Sequence, residues 1–112
     1  MEVTAKARGL GVSARKARLV VDAVRGKSVP EALAILRFLP QKSAKDIAKV
    51  VKSAAANAEH NYDLDPDALF VKYIYADEGP TLKRWRARAR GRVNQRLKRT
   101  AHVTVIVEEK GA

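Results

Sequence analysis

Thr81-Leu82-Lys83-Arg84-Trp85-Arg86-Ala87-Arg88-Ala89-Arg90-Gly91-Arg92-Val93-Asn94-Gln95-Arg96-Leu97-Lys98-Arg99-Thr100 holds nine cations and no acid. Arg84, Arg86, Arg88, Arg90 and Arg92 fall at every second position. In an extended chain that spacing puts all five on one side, whereas on a helix it would scatter them around the axis. Gly91 tolerates positive φ and supplies a reversal point. The flanks agree. Residues 69–76 are rich in Val, Ile, Tyr and Phe and end at Asp77-Glu78-Gly79-Pro80; Ala101 to Val107 places Val103, Val105 and Val107 on one strand face. The geometry predicted is a long β-hairpin, at about 79–100, leaving a sheet, with arms of about ten residues reaching roughly 33 Å. Beyond Trp85, Val93 and Leu97 the arm has little apolar surface. A two-stranded ribbon of that composition does not order itself well in water, so it needs a partner.

Outward from the arm, the rest reads as a small folded base. Val3, Ala5 and Ala7 alternate with Thr4, Lys6 and Arg8, predicting a half-buried strand that Gly9-Leu10-Gly11 ends. Ser13 caps a helix whose apolar positions are Ala14, Ala17, Val21 and Val24 and whose opposite stripe is Arg15, Arg18, Asp22 and Arg25; Gly26 stops it. Ser28-Val29-Pro30-Glu31 is a capping box for a short helix through Leu33, Leu36 and Leu39 that Pro40 ends. Ser43 and Asp46 give the acidic form of the same start signal. The long helix behind them has Ile47, Val50, Val51, Ala54, Ala55 and Ala58 inside and Lys45, Lys49 and Lys52 outside. Asp63-Leu64-Asp65-Pro66-Asp67 is a loop by composition.

At 112 residues the chain fits a single domain over 1–112. The net charge of +11 repels itself in a compact state and is most often neutralised by nucleic acid. The excess lies mainly in residues 1–28, where Lys6, Arg8, Arg15, Lys16, Arg18, Arg25 and Lys27 outnumber the acids, and in residues 81–100. With no cysteine, disulfides, thiolate nucleophiles and sulfur-ligated zinc are excluded. Met1-Glu2-Val3-Thr4 has no signal-peptide pattern, and the apolar runs fall far short of the ~20 residues that span a bilayer, so we expect a soluble cytoplasmic protein.

Arginine outnumbers lysine in the arm, and its planar guanidinium both forks onto phosphate and stacks on bases. Trp85 offers a stacking face, while Ala87, Ala89 and Gly91 keep the arm thin. A thin cationic arm suits a crevice walled by phosphates, which folded RNA provides. Competing readings are a merely solvated basic face, a Trp85 buried in the core, and helix cations present only for solubility. His60 and His102 are the only ribonuclease-type acid–base candidates, and nothing in the spacing brings them together. Asn57, His60 and Asn61 sit near a helix end, where capping is the simpler role. Asp63, Asp65 and Asp67 lack the glycine and terminal glutamate of a calcium loop. We therefore expect no catalysis, no metal, no cofactor and no membrane contact. On the residues alone, a free-standing RNA-binding or chaperone module remains an alternative.

Three linked motifs carry a resemblance. They are Ser13-Ala14-Arg15-Lys16-Ala17-Arg18-Leu19-Val20 with Arg25-Gly26-Lys27; Ser53-Ala54-Ala55-Ala56-Asn57-Ala58-Glu59-His60-Asn61; and Asp77-Glu78-Gly79-Pro80-Thr81-Leu82-Lys83-Arg84 continuing through Arg88-Ala89-Arg90-Gly91-Arg92 to Lys98-Arg99-Thr100-Ala101-His102-Val103-Thr104-Val105. In order and over nearly the whole chain, they resemble the family of ribosomal large-subunit protein twenty-two. The resemblance implies an α+β fold, with three helices packed on a small antiparallel sheet and a long protruding β-hairpin. It implies a structural role in the large subunit: binding its ribosomal RNA, aiding assembly, and lining the nascent-polypeptide exit tunnel, where macrolides bind. The implied partners are that RNA, neighbouring large-subunit proteins and the nascent chain. Expected RNA contacts are Lys6, Arg8, Arg15, Lys16, Arg18, Arg25, Lys27, Lys83, Arg84, Trp85, Arg86, Arg88, Arg90, Arg92, Arg96, Lys98 and Arg99. The expected tunnel-lining tip is Arg88, Ala89, Arg90, Gly91 and Arg92. The arm departs from the usual family pattern at Trp85, Arg86, Ala87 and Arg96, which add charge and a stacking group.

Overall fold

The computed structural model describes residues 1–87 and 93–110, with side chains described for 1–83 and 97–110. The element order is β1 (Glu2–Leu10), α1 (Ala14–Val24), α2 (Val29–Phe38), α3 (Ser43–Tyr62), a 3-10 turn (Pro66–Ala68), β2 (Leu69–Glu78), β3 (Leu82–Ala87), β4 (Val93–Lys98) and β5 (Ala101–Glu109). The fold is α+β, as the resemblance implied. Three strands pair antiparallel in the order β1-β5-β2, and β3 pairs with β4 in a separate two-stranded sheet.

The strand in the centre is the most apolar. Val103, Val105 and Val107 of β5 are fully buried. Burial of a valine contributes roughly 1.5–3 kcal/mol each. Register builds three rows across the sheet: Val3–Val107–Val71, Ala5–Val105–Ile74 and Ala7–Val103–Ala76. On β2, strict alternation after Val71 would bring Tyr73 to the core. A bulge between Val71 and Tyr73 inserts Lys72 and shifts the parity, so buried Ile74 and Ala76 follow buried Val71 while Tyr73 and Tyr75 stay about half exposed. On β1, positive φ at Gly9 accompanies a second irregularity between Ala7 and Leu10 and carries the strand past its expected end.

All three helices cover the valine face. α3 lies over β1 and β5, α1 over β2, and α2 against α3. Small residues line the α3–β1 approach: Ala54 and Ala58 on the helix, Ala5 on the strand, all buried. The helix signals mostly act as read. Ser13 Oγ accepts from the Lys16 N–H at 3.3 Å, and Ser28 Oγ from the Glu31 N–H at 3.3 Å. Gly26 follows α1 with φ +78°. The start of α3 differs. Ser43 is the first helical residue and is buried, with no side-chain cap, and the Ala44 N–H donates instead to the Gln41 carbonyl at 3.1 Å. At the other end Asp63 takes the left-handed conformation, and the Leu64 N–H returns to the Ala58 carbonyl at 3.1 Å. Asn57, His60 and Asn61 are helical residues of α3, so the closure is a main-chain one.

The radius of gyration is 17.0 Å, against about 13 Å for a compact chain of this length. The difference reflects the hairpin standing off the packed layers. Among the described residues no helix is long and apolar enough to cross a membrane.

Candidate nucleic-acid interface

The hairpin leaves the sheet where β2 and β5 end side by side, and a small clasp holds its base. The Gly79 N–H donates to the Thr100 carbonyl at 2.9 Å, and the Thr100 hydroxyl donates to the Pro80 carbonyl at 2.6 Å. Gly79 is tightly enclosed: a Cβ there would lie 2.6 Å from Thr100 Oγ1 and 3.0 Å from His102 Cε1. His102 is held in turn, its Nδ1 accepting the Gly9 N–H at 3.0 Å. Gly79, Pro80, Thr100 and His102 fix where the arm emerges, and none of them stands among the expected RNA contacts. Gly-Pro after a strand marks the break in sequence, but the closeness of Thr100 and His102 depends on pairing between distant segments.

Beyond the clasp the arm is a regular ladder. Leu82 pairs with Lys98, Lys83 with Leu97, Arg84 with Arg96, Trp85 with Gln95, Arg86 with Asn94, and Ala87 with Val93. Described side chains at the root are exposed: Lys83, Lys98 and Arg99 are cationic, while Leu82 and Leu97 remain 41% and 51% accessible. The side chains of Arg84, Trp85, Arg86 and Arg96, and the whole expected tip Arg88–Arg92, lie outside the described residues.

The other expected contacts divide into three groups. Arg15 stands at the N-terminal end of α1 beside the arm, where it lines a cavity of about 350 Å³ with Ser13, Glu78, Thr81, Arg99 and Thr100. Lys16 and Lys27 are exposed nearby on the helical layer and at its end. Lys6 and Arg8 project from β1 on the sheet face away from the helices, where they line a smaller hollow with Asp77, His102 and Thr104. The same open face carries an ion cluster. Lys72 Nζ lies 2.6 Å from Glu2 Oε1, 2.7 Å from Glu108 Oε2 and 5.5 Å from the Tyr73 ring centroid. Hydrogen bonds from Lys72 hold the Glu108 carboxyl below its usual range, and those to Glu108 and Glu2 raise the Lys72 ammonium. Glu108 Oε2 is shielded from solvent, and the ammonium beside it is its partner.

Arg18 and Arg25 have intramolecular work. β2 is an outer strand, so its free edge exposes main-chain groups. The Arg18 Nε–H donates to the Ala76 carbonyl at 3.1 Å, and Arg25 Nη2 donates to the Ile74 carbonyl at 2.9 Å. Arg25 also pairs with Asp22 at 2.6 Å. Further along the same edge the Gly26 N–H donates to the Val71 carbonyl and the Val71 N–H to the Lys27 carbonyl, and Ser28 bridges Phe70. Two of the three arginines of the stripe thus close a sheet edge, a role their helical spacing alone does not reveal.

The residues read as chemically reactive are occupied structurally or stand apart. His60 is exposed near the end of α3, whereas His102 is bonded to Gly9 at the start of β5. Asp65 caps the 3-10 turn through the Asp67 N–H at 3.0 Å. Among the described residues, no group of three His, Cys, Asp or Glu side chains converges as a metal site.

Comparison with known proteins agrees with this geometry. A family model described as ribosomal protein L22p/L17e matches residues 5–108. A protein of Thermomicrobium roseum named large ribosomal subunit protein uL22 is 59% identical over 109 residues, covering 97% of this chain and 92% of the relative. Proteins of the same name from Desulfitobacterium hafniense strain DCB-2 and Lacticaseibacillus casei are each 58% identical, covering 97% of this chain and 96% and 93% of theirs. Matches of this extent and closeness, on a sheet with a protruding basic hairpin, establish that the chain belongs to the ribosomal protein L22p/L17e family and is a structural ribosomal constituent rather than an enzyme.

Proposed function

We propose that the chain binds large-subunit ribosomal RNA, helps that RNA assemble, and lines the nascent-polypeptide exit tunnel with the hairpin tip Arg88–Arg92. The observation that carries this reading is the separate two-stranded hairpin, whose segment 81–100 holds nine cations and no acid. Charge of that density without internal acids stays extended until an anion neutralises it, and RNA phosphates do so at short range. Arg15 and Lys16 beside the root, with Lys27, Lys6 and Arg8 further out, extend the cationic surface onto the base. Arg18 and Arg25 reach RNA only with whatever donors remain after capping β2. The large subunit supplies neighbouring proteins as further partners, and the tip meets the nascent chain.

Deleting Arg88–Arg92 tests the tunnel assignment. The shortened chain should fold, because the buried core lies within the described base. It should enter large subunits, and the altered features should be tunnel width, macrolide response and nascent-chain passage, read by cryo-EM and arrest-peptide translation. A tunnel and macrolide footprint identical to those of the parent would refute the placement of the tip. For RNA binding itself, about eight phosphate contacts imply a log K against log salt slope near −6, and a salt-independent affinity would refute the electrostatic reading.

A further inference from the structure

The lysine face of α3 is not used by any of the surfaces described above. Together with α2 it forms an open groove of about 930 Å³. The floor is apolar, made by Leu33, Leu39 and Ala48, all partly buried. Five cations rim it: Arg37, Lys42, Lys45, Lys49 and Lys52. No carboxylate is among its lining residues, and none of the ion pairs between described residues involves these five. Phe38, which lies in sequence between the lining residues Arg37 and Leu39, is 82% exposed.

From this combination we infer that the α2–α3 groove docks an acidic amphipathic segment of a partner protein, laid in as a helix. Charge complementarity demands an anionic occupant, and the floor demands that it also bring aliphatic side chains. A phosphate backbone has none to bring. The choice of cation points the same way. The arm is built mainly of arginine, which forks onto phosphate, whereas four of the five groove cations are lysines. A lysine lays its aliphatic stem along an apolar wall and lifts its ammonium to the rim, where it meets a carboxylate. A helix placing Leu at i, i+3 and i+7 with Glu on both flanks matches the floor and both rims.

The test uses the full chain and a synthetic 16-residue Leu/Glu amphipathic helix as probe. A scrambled peptide of the same composition and a 12-nucleotide single-stranded RNA serve as comparisons. The expected result is that the amphipathic peptide shifts the amide signals of Ala34, Ala48 and their neighbours, and binds at least about tenfold more tightly than the scramble. Lys45→Glu with Lys49→Glu should weaken that binding about tenfold. Ala34→Trp, which blocks the exposed mouth without changing charge, should weaken it too. Both variants alter exposed positions, and an unchanged helical circular dichroism spectrum verifies the fold. Equal binding of peptide and scramble would overturn the inference, because charge alone would then explain it. So would an RNA oligomer that shifts the same amides and displaces the peptide, or absence of peptide binding at millimolar concentration.

Discussion

Replacing Arg18 and Arg25 by alanine separates two meanings of the cationic stripe on α1. Both guanidinium groups donate to carbonyls on the outer edge of β2, at 3.1 Å to Ala76 and 2.9 Å to Ile74, from part-buried positions. A hydrogen bond from a charged donor in such a setting contributes about 1 to 1.5 kcal/mol net. The exposed Arg25–Asp22 pair adds at most about 0.5 kcal/mol. The double variant should therefore lose about 2 to 3 kcal/mol, which for a chain this size lowers Tm by roughly 10 °C. The comparison is Arg15→Ala with Lys16→Ala, on the same helix and also exposed, whose side chains make no ion pair among the described residues. That pair should leave Tm within about 2 °C and instead flatten the salt dependence of RNA binding by about 1 to 2 in slope. Thermal unfolding by circular dichroism and salt-titrated RNA binding measure both quantities on one set of samples. If Arg18→Ala with Arg25→Ala melts with the parent and loses as much salt slope as the other pair, the carbonyl contacts are incidental and the reasoning fails.

Gly79→Val should push Thr100 off the Pro80 carbonyl and crowd His102, shifting the amides of Lys83, Leu97 and Lys98 while costing about 1 to 3 kcal/mol; NMR spectra unchanged at those positions would contradict the clasp. Gly26→Ala meets open space but places a Cβ at φ +78°, so it should cost about 1 kcal/mol through the backbone alone, readable in urea unfolding. The Lys72 cluster sets a pH dependence with two signs. Glu108, held below its unfolded value, contributes stability that is present above that value and lost as pH falls through the depressed one. Lys72, held above its unfolded value, contributes stability present below the ordinary lysine value and lost as pH rises past it. Lys72→Met should accordingly lower Tm at neutral pH and flatten its acid-side fall, with the effect shrinking in high salt; an unaltered acid limb would remove the cluster as its cause.

The amount of this structure legible in advance follows the range of the interactions involved. Caps at Ser13 and Ser28, the stop at Gly26 and the alternation of Val3 and Ala5 are local, and each stands where the sequence reading put it. Ser43 shows the limit of such signals: a serine followed by an acid has the right spacing, yet burial draws it into the helix and the Gln41 carbonyl takes over the first turn. The parity change at Lys72 was not readable, because a bulge is decided by what the neighbouring strand and the covering helices require. Helical spacing predicts Arg18 and Arg25 on the outward face of α1. That spacing is correct, but what lies beside the helix is an unsatisfied strand edge, known only once β2 is placed. The arm was legible because its signal is a two-residue period with no acids, and its root pairs as expected over the described residues. Helical spacing puts Lys45, Lys49 and Lys52 on one face, but the groove they rim exists only because α2 supplies the opposite wall.

The clasp at Gly79, Pro80 and Thr100 has an evolutionary corollary. Because β3 and β4 form their own ladder and the core closes through β1, β5 and β2, selection on the arm and selection on the base act on nearly independent quantities. On the proposed function, substitutions such as the tryptophan and extra arginines of this arm would be screened against the shape of the RNA and scarcely against the folding of the molecule that carries them. The base can meanwhile keep its valine rows unchanged. The arm is thus the part of this protein in which sequence can change without loss of a folded base.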